Sequence, residues 1–309
     1  MVSRRSLLAG GALALAGLRG AAAQAVPNSA GTRPPRLQAP RLACDSHHHI
    51  YDARFPASPH WRGGRPDGAT VADYRLLMAK LGIRRHVVVQ PSTYGSDNRC
   101  LLDALGQFGQ EARGIVVIED EVELASLREM DQLGVRGVRV NFLSAQSWGE
   151  TTVDRLQRTA ARIAPLGWHA QILMSGEQIA RHEAVLAALP VPVVIDHLGR
   201  IPQPAGLDHP GARALLRLLA AGNTWIKLSE PYADTLQGAP DYADTSLLAR
   251  AYLEAAPHRA LWGSDWPHPT EKIKPDDAVL FDLLASWAPD AALRERILVD
   301  NPAALFGFA

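Results

Sequence analysis

A single-domain (β/α)8 barrel is the fold this sequence predicts, on three observations. Eight short runs rich in β-branched residues recur along the chain, each followed by a stretch with helical periodicity. Runs such as Val191-Pro192-Val193-Val194-Ile195 are apolar on both faces, as expected of parallel strands covered by helices. Eight such units over about 260 residues match the roughly 250 that a barrel of this kind needs. A doubly wound open sheet is the competitor, but no Gly-rich phosphate loop follows the first strand. The chain has 309 residues, 47% hydrophobic, and its 32 basic and 32 acidic side chains cancel. A net charge of zero leaves no electrostatic footprint for nucleic acid or an anionic membrane, so charge must act locally.

Taken in order, the chain begins with Ser3-Arg4-Arg5-Ser6-Leu7-Leu8, which resembles a twin-arginine export motif. A glycine-broken apolar run follows, too short to span a bilayer, and then Ala21-Ala22-Ala23-Gln24-Ala25 at signal-peptidase spacing. Residues 1–25 are therefore expected to be a cleaved signal peptide, delivering the protein to the periplasm with no membrane attachment afterwards. Residues 26–41, with prolines at 27, 34, 35 and 40, read as a loose Pro-rich leader, and 42–309 as the barrel. The expected strands are Leu42–Ser46, Arg85–Gln90, Gly114–Ile118, Val135–Val140, Trp168–Leu173, Val191–Asp196, Thr224–Ser229 and Arg259–Gly263. The helical patterns between and after them are Val71–Leu81, Leu101–Phe108, Glu121–Leu133, Val153–Leu166, Glu177–Leu189, Gly211–Ala221, Thr245–Ala256 and Asp276–Trp287. Gly82, Gly134 and Gly167 fall where three of these helices should close.

A barrel's active site lies at the C-terminal ends of its strands. Those ends hold His47 and His49 on the first strand, Asn141 beside Arg139 on the fourth, Asp196-His197 on the sixth, Ser229-Glu230 on the seventh and Asp265 on the eighth. In Asp45-Ser46-His47-His48-His49, strand alternation places His47 and His49 on one face and His48 on the other. Two imidazoles about 6–7 Å apart along a strand can hold a metal or polarise a carbonyl.

These segments resemble the amidohydrolase superfamily, in its amidohydrolase-related branch of lactonases and decarboxylases. Asp45-Ser46-His47-His48-His49 looks like its first-strand His-x-His, Asp196-His197 its sixth-strand histidine, and Gly263-Ser264-Asp265-Trp266-Pro267 its eighth-strand aspartate. Gln90-Pro91-Ser92, Gly137-Val138-Arg139-Val140-Asn141, Asp196-His197-Leu198-Gly199-Arg200 and Trp262–Pro269 are similar to segments of the pyrone-dicarboxylate lactonases in that branch. The resemblance implies a lactone-opening hydrolase in which Asp265 activates water. His47, His49 and His197, directly or through one divalent metal, stabilise the oxyanion. A metal set of His47, His49, His197 and Asp265 would suit a single zinc, and metal-free catalysis stays open. No bridging lysine or glutamate ends the fourth strand, so a second metal is not expected. His169 begins the fifth strand rather than ending it and is read as structural, as is Arg136.

Arg139 and Arg200 are the candidate carboxylate clamps, and Tyr94, Asn98, Tyr232 and Trp148 the candidate substrate contacts. Further arginines of the resembled lactonases align approximately with Ala145 and Ala233, which implies a small-molecule lactone with at most one carboxylate, from a sugar acid or aromatic breakdown. His268 is placed beside the site. The alternatives are a metal-dependent decarboxylase of an aromatic or unsaturated acid, which usually needs the missing fifth-strand histidine, and a retired binding barrel. Cys44 and Cys100 are expected to be buried free thiols, although neighbouring strand units would allow a disulfide.

Overall fold

The computed structural model describes residues 25–309. Eight strands lie in the order β1 to β8, every neighbouring pair parallel. They are β1 Cys44–His48, β2 Arg85–Val89, β3 Ala112–Val116, β4 Val135–Asn141, β5 His169–Leu173, β6 Val193–Ile195, β7 Thr224–Leu228 and β8 Ala260–Trp262. The helices are α1 Val71–Leu81, α2 Arg99–Phe108, α3 Leu124–Gln132, α4 Val153–Ile163, α5 Gly176–Ala187, α6 Pro210–Ala221, α7 Ala243–Ala255 and α8 Asp277–Trp287, followed by α9 Ala291–Glu295 and α10 Asn301–Phe306. The fold is the (β/α)8 barrel that the periodicity predicts. Thr70 and Asp73 form a capping box at the start of α1, and Gly82 ends that helix with φ +74°, a conformation that favours glycine.

β1 runs two residues past its expected end because β8 continues beside it. Asp265 N donates to His47 O and His49 N to Trp266 O, both at 2.8 Å. The seam is reinforced by the Asp45 carboxylate, which accepts from Ser264 N (2.9 Å), Ser264 Oγ (2.6 Å), Tyr74 Oη (2.9 Å) and His47 N (3.1 Å). Burial pushes this carboxyl up to about 6.

Strand alternation sorts the core into two sets. Val88, Val116, Val138 and Ile172 face the helices. Cys44, Val87, Val89, Ile115, Val194 and Leu261 face the barrel axis, where Phe306 and Phe308 close the N-terminal mouth. The Phe308 ring lies 4.4 Å from the Arg113 guanidinium and 5.3 Å from that of Arg85. With one end of the barrel plugged, the other is left for chemistry. His169, buried at the start of β5, stacks edge-on against Phe306 at 5.4 Å, far from the strand ends. Arg136 is held by the Asp131 and Val135 carbonyls beside it.

The Pro-rich leader is not loose. Val26 is buried, Trp266 Nε1 donates to Pro27 O at 2.7 Å, Lys80 Nζ to Gly31 O at 3.1 Å, and Leu37 N to Asp282 Oδ1 at 2.8 Å. An extended Pro-rich segment makes no ladder of its own, so its carbonyls are free to accept from the barrel's side chains. Cys44 and Cys100 are buried free thiols. Among the described residues no helix is long and apolar enough to cross a membrane. The signal-peptide expectation covers residues 1–25, of which 1–24 lie outside the described residues.

Candidate active site

The C-terminal strand ends open into a cavity of about 510 Å³ whose floor includes His49, Arg139, His197, Glu230 and Asp265. His47 and His49 point toward it, as alternation requires. His48 points away, stacked on Tyr74 at 3.5 Å and bonded to His86 Nδ1 at 2.9 Å. Three imidazoles converge on one carboxylate oxygen. Asp265 Oδ1 lies 3.5 Å from His47 Nε2, 3.5 Å from His49 Nε2 and 3.9 Å from His197 Nε2.

Each imidazole is fixed from behind. His49 Nδ1 donates to Val89 O at 2.7 Å, which turns Nε2 toward the cavity. His197 Nδ1 lies 2.9 Å from Ser229 Oγ. His47 Nδ1 sits between Lys227 Nζ (3.2 Å) and Asp196 Oδ1 (3.3 Å), while its buried Nε2 has no hydrogen-bond partner among the described residues. Asp265 Oδ2 accepts from Tyr232 Oη at 3.0 Å. That hydroxyl lies 2.9 Å from His268 Nδ1, and His268 Nε2 lies 3.3 Å from Asp277 Oδ2.

The backbone that presents these groups is strained. His197, Leu198, Arg200, Glu230, Asp265 and His268 all have φ between +48° and +61°, a region non-glycine residues occupy at a cost of about 1–3 kcal/mol each. Six such residues on three strand-end loops show that side-chain placement there overrides local backbone preference.

Beneath the histidines lies a buried polar cluster that sequence reasoning did not single out. Lys227 Nζ donates to Gln171 Oε1 at 2.6 Å and lies 3.7 Å from Asp196 Oδ1. Gln171 Nε2 donates to Asp196 Oδ2 at 3.1 Å, and Arg139 Nε approaches the same oxygen at 3.4 Å. Burial pulls Lys227 down to about 8 and His197 down to about 4, and holds His47 well below its ordinary value with help from Lys227. The site imidazoles His47 and His197 are therefore neutral at neutral pH. Burial alone would raise Asp196, but His47 and Lys227 hold it well below the carboxylate range. Burial and neighbouring Asp265 push Glu230 well above that range. Asp265 is drawn well below it, against its own burial, by the His49 hydrogen bond and the surrounding imidazoles. Of this carboxyl pair Asp265 is the ionised member. It is always ready to accept a proton, and correspondingly weak as a base, rather than tuned near neutral pH.

The remaining candidates divide. Arg139 lines the cavity, and its contacts to protein are long, 3.4 Å to Asp196 and 3.5 Å to Gln90 O. Arg200 also lines it but is engaged by Asp234 at 2.7 and 3.3 Å. Tyr94, Asn98, Trp148 and Tyr232 are not among the lining residues. The Tyr94 hydroxyl binds the Asp52 backbone, and Asn98 bonds Val117 N and O and so ties the β2 and β3 loops together. Trp148 stacks under the Arg155 guanidinium at 3.5 Å, and Tyr232 anchors Asp265 from behind. Loop polar groups have backbone to satisfy, and this outcompetes exposure to a ligand. The signal for the missed Lys227 and Gln171 was a polar side chain flanked on both sides by apolar residues within a buried strand.

The site could hold a metal. His47, His49 and Asp265 offer ligand atoms within 4.8 Å of one another, as do His197, Glu230 and Asp265. The unpartnered His47 Nε2 and the cavity-facing His49 Nε2 suit one divalent cation. At the end of β5, where many metal-dependent barrels supply another histidine, this chain has Leu173 and Met174.

Comparison with known proteins agrees with this arrangement. The amidohydrolase family profile matches residues 44–308. The 2-pyrone-4,6-dicarboxylate hydrolase of Comamonas testosteroni is 36% identical over 283 residues, 88% of this chain and 92% of that one. The 4-sulfomuconolactone hydrolase of Rhizobium radiobacter is 35% identical, over 90% and 94%. A crystal structure from Agrobacterium tumefaciens superposes with a TM-score of 0.82 at 32% identity, covering 89% of this chain and 99% of that one. This chain belongs to the amidohydrolase family.

Proposed function

We propose that the protein is a hydrolase that opens a small-molecule lactone bearing at most one carboxylate. The observation that carries the reading is the convergence of three imidazole Nε2 atoms on Asp265 Oδ1 at the floor of the cavity. Two relatives at 35–36% identity that are named for hydrolysing 2-pyrone-4,6-dicarboxylate and 4-sulfomuconolactone support it. In this reading Asp265 takes a proton from water as its oxygen attacks the lactone carbonyl. His47, His49 and His197 face the carbonyl oxygen as it becomes an oxyanion, and polar groups held in place there, away from bulk water, stabilise that charge. Collapse breaks the ring C–O bond, and Asp265 returns its proton to the leaving oxygen. Tyr232 holds the far carboxylate oxygen so that Oδ1 faces the reaction.

A zinc ion held by His47, His49, His197 and Asp265 would add Lewis-acid polarisation of that carbonyl. Arg139, with only long contacts to protein, is the proposed partner of the substrate carboxylate. Of the other cations at the cavity, Arg65 is exposed on the rim, Lys274 donates to His268 O at 2.6 Å and Arg200 is bound by Asp234. Export by the twin-arginine route to the periplasm belongs to the same proposal and rests on the motif at residues 3–8.

The test is a pH-indicator screen of lactones on the wild type and Asp265→Asn, with elemental analysis of the purified protein. Acid release that falls at least about 1,000-fold in the variant supports the assignment. Near-normal turnover by Asp265→Asn would sink it, and zinc at one equivalent separates metal-assisted from imidazole-only polarisation.

A further inference from the structure

Glu230 stands at the end of β7 with φ +50°, only 7% exposed, and lines the cavity. The nearest basic side chains to its carboxyl are the neutral imidazole of His197, with Nδ1 at 3.8 Å, and the guanidinium of Arg200, with Nη1 at 3.9 Å, both beyond hydrogen-bond reach. Among the described residues no N–H or hydroxyl donates a hydrogen bond to this carboxyl, and its own proton faces the ionised Asp265. Arg200, the one cation on this wall, is already bound in two places by Asp234. Arg139 is reached from β4 at the floor of the same cavity. The cavity thus presents a weakly engaged guanidinium at one side and, at the other, a neutral carboxyl whose oxygen is open to a donor from a ligand. A buried polar oxygen without a donor is costly, and a ligand hydroxyl can supply what the protein does not.

We propose that Glu230 is the hydroxyl-recognition group of this site. The substrate is then a hydroxylated, sugar-acid type of lactone, with its carboxylate toward Arg139 and a ring or side-chain hydroxyl donating to Glu230. This rests on the lactone-hydrolase reading for its reaction, but the subsite can be tested by binding alone. An apolar or hydroxyl-free lactone would leave Glu230 unpaired, which makes the residue a determinant of specificity rather than a participant in bond breaking.

The experiment is calorimetric titration of the full chain with gluconate and with hexanoate, six-carbon monocarboxylates that differ in hydroxylation. Wild type is expected to bind gluconate at least about 5-fold more tightly, the scale of one hydrogen bond to the oxygen of a neutral carboxyl. Glu230→Gly, which the positive φ accommodates, is expected to bring the two affinities within about threefold. Glu230→Gln should keep part of the preference, because its amide oxygen still accepts. A change in the stability of either variant cancels in the ratio. An unchanged ratio in Glu230→Gly overturns the proposal, and so does equal or undetectable binding of both acids by the wild type. If the ratio behaves as expected while no lactone is opened, the hydrolase reading falls and the subsite stands. If lactones are opened while the ratio stays fixed, the reverse holds.

Discussion

Replacing Lys227 with methionine removes the ammonium at the centre of the buried cluster. The ammonium is inaccessible to solvent, 2.6 Å from Gln171, 3.2 Å from His47 and 3.7 Å from Asp196. Methionine fills similar space, so the cavity cost is small, and the loss is electrostatic. Asp196 would then stand buried opposite a neutral imidazole and a guanidinium 3.4 Å away. Breaking one partner from a buried pair costs about 3–5 kcal/mol, because it leaves an uncompensated charge. The assay is a double-mutant cycle by urea denaturation on wild type, Lys227→Met, Asp196→Asn and the double variant. We expect Lys227→Met to lose about 3 kcal/mol or more, and the double variant to recover at least about 2 kcal/mol of the summed losses. A loss below about 1 kcal/mol, or strict additivity, would refute the view that Lys227 and Asp196 compensate each other.

Two further outcomes follow from the site and its surroundings. His86 and His169 are fully buried, and burial lowers each to about 3, against about 6.5 in an unfolded chain. A depressed folded value means that the unfolded form binds protons first, so stability is complete above pH 6.5 and is lost as pH falls toward 3. Between pH 7.5 and 5 each should remove about 2 kcal/mol, visible as a falling urea midpoint, and a flat midpoint across that range would contradict the neutral, buried assignment. Arg139→Gln should raise KM for a carboxylated lactone about 10–100-fold while changing kcat little. An equal KM increase for an uncharged lactone would show that Arg139 shapes the site rather than clamping an anion.

Much of the fold was legible because hydrophobic period and glycine stops are local signals. The limits of all eight strands fall within two residues of the sequence expectation. The largest discrepancies lie at helix ends such as α3, where Glu121 to Glu123 sit in a turn before Leu124. The histidine pair was legible from alternation alone, since His47 and His49 share a face in any strand. What was not legible depends on contacts between distant segments. Nothing local distinguishes Tyr94 or Asn98, occupied by loop backbone, from a residue facing a ligand. Glu230 appeared only as the last letter of a strand end, because its meaning comes from Arg200 being claimed by Asp234. The ordering of the leader likewise comes from partners at Trp266, Lys80 and Asp282.

The β1–β8 seam carries a kinetic implication. Ser264 and Asp45 are 219 residues apart, so this contact closes one of the longest chain loops in the protein. The residues it joins are neighbours of His47 and Asp265. The three-imidazole cluster around Asp265 therefore comes into being only when the first and last strands meet. Partly assembled forms, however much helix and sheet they contain, lack the reacting constellation. Recovery of turnover after refolding would then lag the return of helical circular dichroism, and would time the closing of the barrel itself.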